Sequence, residues 1–237
     1  MRSTPLLFLG ILAGMAASWW GVIVAPRLQL GGAPTVVVNG QHYPPRRPGL
    51  AEQGAEVYRA QGCNACHTQF LRPEGYGHDL DWGWGPRRTV AQDYLRDNPV
   101  LLGAVRVGPD LSNIGSRMGA GDTNVQPAMV AYQLEHLYHS RAAMPGSVMP
   151  AYPYLFEKRR IAGVPSPDAL KLKAPYAPED GYEVVPTPEA RALMAYLLSL
   201  RTTISLPEAP IVPPPTNAVA DAAPGTDAAV TNNATAK

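Results

Sequence analysis

The sequence predicts a mainly α protein, with one N-terminal membrane-spanning helix followed by one small helical domain broken by long loops. Three observations lead there. The chain opens with an uncharged run from Leu6 to Ala25. Apolar residues recur at helical spacing around residues 50–62, 124–140 and 187–200. Between these stretches proline and glycine are dense, 26 and 22 of 237 residues, so the connections are irregular. The net charge of +1 gives no reason to expect a nucleic-acid partner. Only three Phe are present, so the core has to draw on Leu, Val, Tyr and any bound apolar group.

The first element is the anchor, residues 1–27. At about 1.5 Å per residue the Leu6–Ala25 run spans roughly 30 Å, the thickness of a bilayer's hydrocarbon core. Trp19 and Trp20 stand near its far end, where amphipathic rings favour the interface. A cleaved signal would have an apolar stretch of about 7–15 residues, so the length favours a retained anchor contacting lipid. Arg2 favours a cytoplasmic N-terminus, although Arg27 on the other flank weakens that charge argument. Residues 28–49 form a linker. Within it Thr35–Val38, Asn39-Gly40 and Gln41–Tyr43 spell a hairpin with a tight turn. Pro44, Pro45 and Pro48 then stop regular structure, and His42 belongs to an exposed loop.

The domain occupies residues 50–204. Its first helix carries Leu50, Gly54, Val57, Tyr58 and Gln61 on one stripe. It leads into Cys63-Asn64-Ala65-Cys66-His67, which holds both cysteines of the chain. C-x-x-C-H is the attachment motif of a c-type haem: two thiols add to neighbouring vinyl groups and the histidine ligates the iron. A structural zinc site would need a second pair of ligands, and a disulfide framework would need more cysteines. The cofactor read from the motif is therefore one covalent haem c on Cys63 and Cys66, with His67 on the iron.

The opposite axial ligand is a choice among Met118, Met144, Met149 and the remaining histidines. Met149-Pro150-Ala151-Tyr152-Pro153 is the strongest candidate, because the prolines stiffen the loop that would present the sulfur. Met144-Pro145 is a near-repeat and its main rival. Met118 lies in a turn-like stretch, and His136 and His139 read as surface or helix-end residues. Residues 158–186 read as an inserted, proline-rich surface loop. Thr187-Pro188-Glu189 starts the last helix, with Thr as cap and Pro in the first position. Its apolar stripe is Ala192, Leu193, Tyr196, Leu197 and Leu200. Residues 205–237, rich in Pro, Ala, Thr and Asn, read as a disordered tail.

Several segments carry a resemblance. The approach helix and C-x-x-C-H are similar to the entry of class I cytochrome c domains. Gly62–Gln69, Arg72-Pro73, Tyr76-Gly77-His78, Trp84–Tyr94, Arg106–Gly115 and Met149–Pro153 together resemble the mono-haem, membrane-anchored subunit II of cbb3-type haem–copper oxidases, the CcoO/FixO family. The resemblance spans about residues 50–156 and leaves the segment 158–186 and the tail unmatched.

It implies a class I cytochrome c-like domain with long loop insertions. It implies Met149 rather than Met144 as sixth ligand, and a Pro109 carbonyl that accepts the Nδ1–H of His67. It also implies an electron-transfer subunit that does no bond-breaking chemistry. Electrons would come from a further cytochrome c subunit or a soluble cytochrome c and go to the low-spin haem b of a catalytic subunit I that also carries copper. The implied location is the bacterial inner membrane, with the domain on the periplasmic side. The block 72–106 interleaves Arg72, Arg87, Arg88 and Arg106 with Tyr76, Trp82, Trp84 and Tyr94. Arginine and aromatic residues suit haem propionates, for which Arg72 and Arg117 are the candidates, or a docking surface on the catalytic subunit. The rival readings are the cytochrome c subunit of a nitric-oxide reductase, a free-standing tethered shuttle, and a haem enzyme with an open iron position.

Overall fold

The structure is a computed structural model, and it describes residues 4–31, 35–38 and 40–211. It is helix-rich, with few strands and one N-terminal helix long and apolar enough to cross a membrane. That helix runs as α1 (Thr4–Trp19), a π-helical turn (Trp20–Val24) and α2 (Ala25–Gly31). Within Thr4–Gln29 the most apolar 18-residue window has a mean hydropathy of 2.0 and buries none of itself against the rest of the chain. The wide turn has a local cause. Pro26 lacks an N–H and its ring crowds the carbonyl four residues back, and just before it the Ala25 N–H reaches five residues back, to Trp20 O.

The strands of the predicted hairpin pair, while Asn39 of its turn lies outside the described residues. Strands β1 (Val36–Val38) and β2 (Gln41–Tyr43) pair antiparallel with Val38 opposite Gln41. The segment 28–49 is nevertheless more than a linker. Tyr43 is buried, its phenol donates to Asp93 at 2.6 Å, and Arg47 pairs with Asp97. His42 is exposed and shares a hydrogen bond with Thr35 Oγ1.

The core is built on two crossing helices, α3 (Gly49–Ala60) and α7 (Pro188–Ser199). α3 buries Ala51, Gly54 and Tyr58, while Leu50 points outward and is half exposed. The predicted stripe is thus rotated by one residue at its start. α7 buries Ala190, Ala192, Leu193, Met194, Tyr196 and Leu197, and Thr187 Oγ1 caps it by accepting from Ala190 N. The Tyr58 and Tyr196 rings meet at 5.3 Å with a 57° tilt. Each such fully buried large side chain contributes roughly 1.5–3 kcal/mol. Two short helices, α4 (Ile114–Arg117) and α6 (Ser140–Ala143), flank α5 (Gln126–Tyr138), of which only Leu137 is fully buried.

Two expectations are corrected. Residues 158–186 are not simply a surface loop. Strands β3 (Phe156–Arg160) and β4 (Tyr182–Pro186) pair antiparallel and close the segment at its base. Val184 and Val185 are buried, and Leu170 N donates to Val184 O at 2.9 Å. The run Tyr182–Val185 is β-prone and half apolar, and burial of its valines outweighs the prolines around it. The tail does not begin at 205 either. Leu206 and Ala209 are buried with Tyr43 and Val90. The rest of the predicted disordered tail, 212–237, lies outside the described residues.

Candidate haem site

Two residues past the end of α3, Gly62 adopts φ 70°, a backbone that favours glycine. A 3₁₀ turn, Cys63–Ala65, follows at once, and His67 N bonds back to Cys63 O at 3.0 Å. One tight turn therefore carries both thiols and the imidazole. Cys63 is buried, Cys66 is half-buried, and both are free thiols. Burial pushes the Cys63 thiol up to about 11, so it stays protonated at neutral pH.

The segment leaving the motif is clamped by residues 102–111. Gln69 N bonds Leu102 O, Val107 N and Gly108 N both bond Cys66 O, and Leu111 N bonds Thr68 O. This brings Pro109 to the imidazole, and the two groups lie 2.8 Å apart, His67 Nδ1 to Pro109 O. A carbonyl can only accept, so Nδ1 carries the proton and Nε2 keeps a free lone pair. Burial lowers the His67 pKa, with the Pro109 hydrogen bond and Asp110 opposing and Arg117 assisting. The ring is thus held neutral, as a metal ligand must be. Gly108 lies flat on it: a Cβ there would come within 2.8 Å of Nδ1 and 3.0 Å of Nε2, and closer still to Cε1.

The surroundings of Cys63 are apolar. Leu101, Met118, Leu137 and Leu197 are buried in one cluster with it, and Met149, Tyr152 and Leu134 pack against that cluster. Met149 is held at both backbone atoms: Ser140 Oγ donates to its carbonyl at 2.6 Å, and its N–H donates to Ser147 Oγ at 3.2 Å. Met144 is half exposed, whereas Met118 is fully buried. Burial, with Cys63 next, raises the Tyr152 phenol to about 12.

Two polar atoms in this neighbourhood have no partner although they are buried, Arg117 Nε and His136 Nδ1. A protonated His67 would lower the His136 pKa, and Arg117 lowers that of His67, so both side chains stand near the imidazole. An apolar shell with unpaired buried donors fits a haem, whose plate is apolar and whose propionates accept hydrogen bonds. His136 is a helix-end residue, in the last turn of α5, and is half-buried with an unpaired Nδ1. His139 also has a buried, unpaired Nδ1, and its ring lies 4.2 Å from that of Tyr176.

The arginines of the block 72–106 are engaged within the chain. Arg72 donates to Asp79 through its backbone and its guanidinium, and Arg106 Nη1 reaches the same carboxylate at 2.7 Å. Arg87 pairs with buried Asp93, and Arg88 donates to Glu208 O. Arg72 thus meets Asp79 through Nε and Nη2, while Arg117 keeps a buried Nε without a partner. Burial would raise the Asp79 pKa, but the bonds from Arg72 and Arg106 prevail and hold it at about 2. Asp110, also fully buried, accepts from Thr68 Oγ1, Phe70 N and Ser112 N. Sequence reading missed these carboxylates, although Arg106 and Asp110 stand four residues apart.

Residues 7–171 match the family model described as cytochrome c oxidase, mono-heme subunit/FixO. A search of curated proteins gives no match.

Proposed function

Since the chain belongs to the FixO family of mono-haem cytochrome c oxidase subunits, we propose that it relays single electrons from a cytochrome c donor to the low-spin haem b of a copper-containing catalytic subunit. The donor is a further cytochrome c subunit or a soluble cytochrome c. Cys63 and Cys66 hold the haem covalently, and His67 and Met149 ligate its iron. The observation that carries this reading is the 2.8 Å contact of His67 Nδ1 with Pro109 O, which leaves Nε2 free for iron. The bound haem supplies one-electron chemistry at iron, and the chain's own residues tune and shield it. Pro109 fixes the imidazole tautomer, Gly108 lets the backbone lie against the ring, and Arg117 and His136 receive propionate oxygens. The helix Thr4–Gln29 anchors the domain on the periplasmic face of the inner membrane.

The test is purification of the membrane protein in mild detergent. Haem that resists acid–acetone extraction, lost in Cys63→Ala and Cys66→Ala, is expected together with a large subunit carrying b haems and copper. Extractable haem would overturn the covalent attachment, and a chain that purifies alone would overturn the oxidase role. A second expectation concerns Gly108→Ala. The new methyl meets the His67 ring and costs about 1–3 kcal/mol by overpacking. A high-spin fraction in the optical spectrum, with haem still attached, is the expected reading.

A further inference from the structure

A chain of contacts leaves the haem motif and ends on an exposed aromatic ring. Thr68 follows His67 directly, and Arg106 Nε donates to Thr68 Oγ1 at 2.7 Å. The Arg106 guanidinium is also fixed by Asp79 and by Phe70 O, at 2.7 and 2.5 Å. It sits 4.9 Å from the centre of the Phe70 ring and 5.6 Å from that of Trp84. Trp84 meets Trp82 at 4.8 Å between centroids. Trp82 is 59% exposed, an unusual placement for the largest apolar side chain, and Tyr76 is 79% exposed in the same loop.

We infer that Trp82, backed by Trp84 and Arg106, is the contact through which this chain hands its electron to the catalytic oxidase subunit. The inference rests on the electron-transfer reading above and assigns its exit. One electron crosses: the iron is oxidised by one unit, a one-electron acceptor in the partner is reduced by one, and no bond or proton changes place.

Three features support this exit. The route is continuous from the residue next to the axial histidine to the surface. Its central member is immobilised, since Arg106 is gripped by Asp79, Thr68 and Phe70, so the ring stack holds one geometry. The terminal ring is a Trp, the side chain most enriched at the energetic centres of protein interfaces. A protein partner suits the loop better than a lipid surface, because Asp81, next to Trp82 in the chain, is exposed and anionic headgroups would repel it.

The test uses the assembled membrane complex, with Trp82→Leu and Trp82→Phe compared with the unaltered chain. The readouts are reoxidation of haem c after a single reduction, its midpoint potential, and retention of the subunit in detergent. Trp82→Leu is expected to slow reoxidation about tenfold or more, with the potential unchanged and the haem attached. Trp82→Phe is expected to restore most of the rate. Equal rates in Trp82→Leu and the unaltered chain would overturn the inference. A slowing present in lipid vesicles but absent in detergent micelles would assign the ring to the membrane surface and overturn it too. If the unaltered chain is itself not reoxidised by a haem–copper partner, it is the electron-transfer reading that falls.

Discussion

Met149→Ala is expected to leave the haem attached, abolish the near-infrared charge-transfer band of a sulfur–iron bond, and lower the midpoint potential. The fall should be on the order of 0.1 V or more, within the roughly 0.8 V that axial ligands command. The argument starts from sulfur. A thioether is a soft, neutral donor that favours ferrous over ferric iron, so its loss stabilises the oxidised state. Geometry then favours Met149 over Met144. Met149 packs on the cluster that contains Cys63, and Ser140 and Ser147 hold its carbonyl and its N–H. Tyr152, three residues on, is tied to Leu137 O at 2.9 Å, so the loop is fixed on both sides of the methionine. Met144 is half exposed and would have to turn inward to reach the iron. Near-infrared absorption and a redox titration of the purified protein check this. A band that survives Met149→Ala and disappears in Met144→Ala would move the ligand to Met144.

The parts of the site that share one short stretch of chain were the most legible. Cys63, Cys66 and His67 stand together in the sequence and share one tight turn in the structure, and Pro109, in a turn motif downstream, lies against the His67 ring. The helices at either end were legible through their apolar stripes and, for Pro188–Ser199, through the Thr187 cap. What escaped was long-range pairing of polar groups. Nothing local in the sequence joins Arg72 to Asp79 and Arg106, or Arg87 to Tyr43, 44 residues away. Arginines among tryptophans look alike whether they face a partner or a buried carboxylate. The strand Tyr182–Pro186 escaped for a related reason: its ladder partner lies beyond a long proline-rich segment that reads as loop. His136 escaped because its only marker is a buried, unpaired nitrogen, which no periodicity reveals.

Asp93→Ala is expected to destabilise the domain by about 3–5 kcal/mol, the usual cost of leaving one partner of a buried ion pair alone. The side chains of Arg87 and Asp93 are 1% and 4% exposed. Asp93 takes Arg87 Nη2 at 2.7 Å, Arg87 Nη1 at 3.0 Å, the Tyr43 phenol at 2.6 Å and Val90 N at 2.8 Å. Arg87 Nε goes on to Ile204 O at 2.6 Å. One carboxylate thus joins the hairpin, the arginine-rich block and the chain after α7. Burial and the Asp93 charge push the Tyr43 phenol well above its ordinary range, so it remains a donor throughout the working pH. Removing the carboxylate leaves the buried Arg87 charge without a counter-charge and takes from the Tyr43 hydroxyl its acceptor. In a domain of this size that loss lowers the midpoint of thermal unfolding by roughly 10 °C. The double change Arg87→Met with Asp93→Leu should cost less than Asp93→Ala alone, because it leaves no unpaired charge. Thermal melts of the haem-loaded protein in detergent, followed by circular dichroism, measure both. A double variant as unstable as Asp93→Ala would show that packing around Tyr43, rather than the charge pair, holds these three segments together.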